Sequence, residues 1–170
     1  MTQTLQDVEV ELRTELREMA ETHERWKGRL PASLKTKPPR KYQNIYDLVA
    51  REGVFFKGRE LPVGRRRKGA PGKCFANCRS RALSFPELTY CEGFGWTKEF
   101  GGIHHAWLID ERGGVIEPTW SRPEHNINVG DVFYLGIPFA TEELAKLVVE
   151  HADKEVNGYL PFLLGGVPWK

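Results

Sequence analysis

The stretch GGIHHAWLIDERGGVIEPTW, residues 101–120, constrains the fold more than any other. Ile103, Ala106, Leu108 and Ile109, followed by Val115 and Ile116, read as two apolar strands joined by a Gly-Gly turn. Upstream, ELTYCEGFGW has the β-branched and aromatic content of a strand, and downstream DVFYLGIPF reads as another. VFFKGREL reads as a strand with a turn at Lys57-Gly58. Helices flank this run. Residues 4–27 carry Leu5, Val8, Leu12, Leu16, Met19, His23 and Trp26 at 3,4 spacing, an apolar stripe that predicts docking within the chain rather than a dimer seam. NIYDLVAREG is a short helix capped by Asn44 and closed by Gly53, and CFANCRSRAL is a helix that begins at Cys74. TEELAKLVVEHADKEVNG is a helix with Thr141 at its N-cap and Gly158 beyond its end. Strands in hairpin succession with helices before and after predict an α+β fold on an antiparallel sheet. Residues 1–30 hold the amphipathic helix and residues 31–170 the remainder of what reads as one domain of 170 residues.

No apolar run approaches a membrane span, and the N-terminus has no basic-then-apolar leader, which predicts a cytoplasmic chain. Cys74, Cys78 and Cys91 are odd in number and too few for a disulfide framework, so reduced thiols are expected. The net charge of +2 conceals an asymmetry. Residues 31–83 hold 14 Lys and Arg against 3 Asp and Glu, whereas residues 84–170 hold 6 against 13. Part of the surface is therefore basic, and an anionic partner is one consequence to weigh.

The chemistry lies in a thiol, an imidazole and a carboxylate. A thiolate is the nucleophile, and both a helix N-terminus and a neighbouring imidazolium favour that form. Cys74 stands where a helix begins, beside Lys73 and after a loop rich in Gly and Pro. The strand at 103–109 can bring a histidine to it, and a carboxylate on the adjacent strand, Glu117, can hold the second ring nitrogen. His104 and His105 are consecutive, so their side chains point to opposite faces and one of them meets the thiol.

The succession GKC opening a helix, HAW on a strand and EPTW on the next resembles the transglutaminase-like branch of the papain-like cysteine enzymes, and is also similar to small proteins frequent in phage genomes. The match covers residues 72–120. It implies a papain-like fold with Cys74 as nucleophile, His105 as base and Glu117 as orienting carboxylate, acting on a carboxamide or peptide carbonyl as a peptidase, deamidase or acyltransferase. The resemblance also implies that backbone N–H groups at Cys74 and Phe75 hold the oxyanion, aided by a side-chain amide such as Gln43 or Asn77. Trp107 and Trp120 would wall the site. The family carries aspartate where this chain has Glu117, and Asp110 is the alternative orienter. No cofactor or metal is implied.

Other readings compete. Cys74, Cys78, Cys91 and either histidine could form a Cys3His zinc site, although structural zinc usually draws its cysteine pairs from tight turns. The basic loop at 64–73, with Arg65, Arg66, Arg67, Lys68 and Lys73, is ordinarily a solvated loop. Its functional alternative is a non-catalytic binding protein of the same fold that holds nucleic acid or another anionic partner there. Tyr42, Tyr46, Phe55 and Phe56 could stack bases, but their spacing suggests core.

Overall fold

The computed structural model describes residues 4–28, 40–60, 69–97, 101–120, 127–152 and 156–170. The chain divides into two compact units, Met1–Gly53 with Tyr159–Lys170, and Val54–Gly158. Among the described residues no helix is long and apolar enough to cross a membrane.

The first unit is helical. Helix α1 spans Leu5–Gly28 and packs on α2, Ile45–Glu52. The apolar stripe of α1 is only half used: Leu12, Leu16 and Ala20 are buried, while Leu5 and Trp26 at its ends are 51% and 66% exposed. Asn44 caps α2 as expected, its Oδ1 accepting from the Asp47 N–H at 3.0 Å, while its Nδ2 donates to the Ala20 carbonyl. Arg13 serves the other end of α2 and donates to the carbonyls of Ala50 and Gly53, where the helix dipole favours a cation. Tyr42, one of the candidate stacking aromatics, is fully buried, and its N–H donates to Leu164 of the C-terminal segment.

The second unit carries a five-stranded antiparallel sheet in the order β1-β5-β2-β3-β4, giving an α+β fold. The strands are β1 (Val54–Lys57), β2 (Thr89–Thr97), β3 (Gly101–Ile109), β4 (Val115–Ile116) and β5 (Phe133–Pro138). Helix α3, Cys74–Ser84, packs on β2 and β3, and α4, Thr141–Glu150, packs on α3 and β2. The hairpin read from residues 101–120 forms through β3 and β4, with Gly113 at positive φ in its turn. Strand alternation places Cys91, Trp107, Ile109, Val115, Val132, Tyr134 and Trp120 in one core cluster. Phe56 packs against it, and Phe55 stacks on Phe133.

The turn expected at Lys57-Gly58 is present, whereas α4 differs from expectation at both ends. The first strand ends at Lys57, and the Gly58 N–H then bonds the Val132 carbonyl. Helix α4 takes Ala140, not Thr141, as its extended N-cap residue and stops at Glu150, with His151 as C-cap. Thr141 is therefore already helical, and no side chain caps that end.

Candidate active site

The segment before α3 is fastened to the turn after β4. The Gly69 N–H donates to the Pro118 carbonyl at 2.7 Å. Asn77 clamps Ala70, accepting from its N–H at 3.0 Å and donating to its carbonyl at 2.8 Å, and also donates to the Thr119 hydroxyl at 3.0 Å. A Cβ on Gly69 would lie 2.3 Å from the Asn77 amide, so this clamp needs glycine there. Lys73 is the N-cap residue of α3 but supplies no side-chain cap. The first-turn N–H groups at Cys74, Phe75 and Ala76 thus have no capping side chain. One turn later the Cys78 thiol donates to the Ala106 carbonyl at 3.3 Å, which pins α3 to β3 beside His105.

His105 projects from β3 opposite Gly93, and its Nε2 lies 2.7 Å from Glu117 Oε2. Nδ1 is the ring nitrogen that Glu117 does not engage, and the Cys74 thiol lies close enough to the ring to help raise its pKa. Strand β4 pairs only with Leu108 and Ile109, so among the described residues no strand covers the edge of β3 beside His105. Cys74 approaches from α3 and is half-exposed, while His105 is buried at 2% exposure. Solvent therefore reaches Cys74 but hardly touches His105.

The Glu117 carboxylate is held on both oxygens. Oε1 accepts from the N–H groups of Thr119 at 2.7 Å and Trp120 at 2.9 Å, and Oε2 accepts from Tyr134 at 3.3 Å as well as meeting His105. Trp120 stacks flat on the His105 ring, centroids 3.7 Å apart and planes 11° apart. Gly95 makes room for that indole, since a Cβ there would come within 2.7 Å of it. Burial alone would push the His105 pKa down. The Glu117 carboxylate, with the bonds to Cys74 and Glu117, outweighs burial and brings it up to about 9. The shift favours the imidazolium form, charge-paired on the Glu117 side.

The remaining sequence candidates separate. Asp110 sits in the β3–β4 turn, where it accepts from the N–H groups of Arg112 and Gly114 and pairs with Arg59 at 2.6 Å. That arrangement leaves Glu117 as the partner of His105. Trp107 is fully buried in the core between Phe56 and Tyr134, whereas Trp120 walls the imidazole. Both amide hydrogens of Asn77 are committed to the clamp, so its side chain has none left to offer an oxyanion. Gln43 lies in the helical unit, where its N–H donates to Asp47. Lys73 is exposed; Arg65, Arg66, Arg67 and Lys68 lie outside the described residues. Cys78 and Cys91 are buried, which pushes both thiols up. Among the described residues no group of three or more His, Cys, Asp or Glu converges as metal ligands would.

Sequence reasoning missed two partners. Tyr134, on β5, reaches Glu117 only because β5 pairs with β2 and sets Tyr134 opposite Gly95. Glu92, inside an apolar strand, is completely buried and meets His104 Nε2 at 3.1 Å, with the Tyr90 hydroxyl donating to its other oxygen at 2.8 Å. The alternation Tyr90, Glu92, Phe94 on one strand face was the available signal. No protein-family model, curated protein or solved structure matches this chain.

Proposed function

We propose that the chain performs cysteine-dependent acyl chemistry on an amide or peptide carbonyl, within a papain-like fold of the transglutaminase-like type. The observation that carries this reading is the buried His105 ring, held by the Glu117 carboxylate at 2.7 Å and influenced by the Cys74 thiol at the start of α3. Cys74 Sγ attacks the carbonyl carbon, forming the C–S bond as the thiol proton is passed to His105. The tetrahedral oxyanion faces the uncapped N–H groups at Cys74 and Phe75. His105 then gives its proton to the leaving amine as the C–N bond breaks, which leaves a thioester on Cys74. Water or an acceptor amine attacks that thioester, loses its proton to His105 and releases Cys74. Glu117 keeps the imidazole in register and stabilises its charged form throughout.

Leaving-group protonation needs the imidazolium. A pKa raised to about 9 keeps that form available across neutral pH and withdraws it as pH rises through about 9. The test uses p-nitrophenyl acetate as a minimal acyl donor, with peptide mass spectrometry to locate the acyl group. One acetyl group should appear on Cys74 and decay faster when hydroxylamine is added. Absence of a Cys74 adduct, or equal acylation in a His105→Ala protein, would overturn the reading.

A further inference from the structure

Cys74 is delivered by a turn, and one side chain fastens that turn. The Lys73 N–H donates to the Ala70 carbonyl at 3.3 Å, and between them stand Pro71 and Gly72, the glycine at φ 66°. Proline followed by a glycine of positive φ is the pattern of a type II turn, and α3 starts on the residue after Lys73. Further along α3, Asn77 takes both backbone polar groups of Ala70, Oδ1 accepting from the N–H at 3.0 Å and Nδ2 donating to the carbonyl at 2.8 Å. Its Nδ2 also donates to the Thr119 hydroxyl at 3.0 Å. Thr119 is buried, and its own N–H donates to Glu117 Oε1 at 2.7 Å. One amide therefore joins the turn ahead of the thiol to the turn that holds the carboxylate.

Asparagine is a poor helix former, and this one spends its side chain outside α3. We infer that Asn77 is a positioning residue for the acyl chemistry: it fixes the Cys74 end of α3 against the Glu117 turn, so that thiol, imidazole and carboxylate keep one arrangement. The inference rests on the function proposed above. Asn77 acts through Ala70 and Thr119, so its removal loosens both ends of that arrangement at once. A misplacement of about 1 Å in such a group is enough to cost up to about a hundredfold in rate.

The experiment compares wild type, Asn77→Ala, Thr119→Val and Thr119→Ser, each shown by thermal melting to be folded, in two readouts. The first is the rate of Cys74 acetylation by p-nitrophenyl acetate. The second is the titration of the His105 ring followed by NMR, since burial lowers its pKa while Glu117 and Cys74 raise it to about 9. Asn77→Ala should lose about ten- to a hundredfold in rate, and its His105 titration should move down. Thr119→Val, which removes the hydroxyl acceptor, should lose about three- to tenfold, and Thr119→Ser should recover most of that loss. A merely structural role would lower the melting temperature and leave the His105 titration in place. Wild-type rates in both Asn77→Ala and Thr119→Val, or a rate loss with an unmoved titration, would overturn the inference. Were Cys74 not acetylated in wild type, the proposed function would fail instead. An unmoved His105 titration in Asn77→Ala would then overturn the inference as well.

Discussion

Two consecutive histidines on β3 each place Nε2 against a buried glutamate, His105 at 2.7 Å from Glu117 and His104 at 3.1 Å from Glu92. On both faces a tyrosine hydroxyl donates to the same carboxylate, Tyr134 to Glu117 and Tyr90 to Glu92. The environments then diverge. His105 is sealed beneath Trp120, and the half-exposed Cys74 thiol helps raise its pKa. The side chain of His104 is 27% exposed and lies between the rings of Phe75 and Phe94 at 5.0 and 5.5 Å. A histidine–glutamate pair is therefore not in itself a catalytic device. In the proposed function the one near the Cys74 thiol would move a proton to and from a substrate; the other ties strands β2 and β3 together.

The largest expected effect separates the two glutamates. Glu117→Gln keeps the shape but removes the charge that favours imidazolium. Acylation of Cys74 should fall by roughly 10² to 10⁴. The alkaline limb near pH 9 should move down towards the ordinary histidine range, because Glu117 is the main influence raising that pKa. Glu117→Asp should also lose activity, on the order of tenfold, since the shorter side chain cannot reach both His105 and the N–H groups of Thr119 and Trp120. An unshifted pH profile in Glu117→Gln would dissolve the distinction between the two pairs.

The reverse result is expected on the other face. His104→Ala removes the imidazole partner of the buried Glu92 carboxylate and should cost about 1 to 3 kcal/mol of stability in denaturant unfolding. Cys74 chemistry should stay within about threefold of wild type, a change too small to mark a lost catalytic group. A large loss of acylation with unchanged stability would exchange the roles of the two histidines. The smallest effect belongs to Tyr134→Phe, which deletes a 3.3 Å hydrogen bond to a carboxylate that keeps three other partners. A two- to tenfold drop in acylation rate is expected, about the worth of one hydrogen bond.

Much of this comparison was legible in the sequence because its signals are local. Strand alternation alone puts His104 and His105 on opposite faces, and the glycine-rich approach to Cys74 marks a helix start. The choice between Glu117 and Asp110 was open in sequence and is decided by the turn: Asp110 accepts N–H groups two and four residues ahead, a local bond that keeps it from His105. The partners that come through sheet register were not legible. Glu92 needs β2 beside β3 to meet His104, and Tyr134 needs β5 beside β2. Asn77 read as an available amide, but Ala70 and Thr119, 7 and 42 residues away in sequence, consume its hydrogens. The stripe on α1 predicted burial along its whole length, whereas α2 spans eight residues and Trp26 remains open.

The central claim is that His105, and not His104, activates Cys74. Cys78 and Cys91 are buried, so preferential labelling of Cys74 over them reports access as much as activation. The direct measurement is the rate of Cys74 alkylation by iodoacetamide at pH 6, followed by peptide mass spectrometry, in wild type, His105→Ala and His104→Ala. At that pH an unassisted thiol is almost wholly protonated and reacts slowly. The account predicts that His105→Ala slows alkylation by at least about tenfold while His104→Ala leaves it nearly unchanged. Equal rates in all three proteins, or a loss confined to His104→Ala, would contradict it.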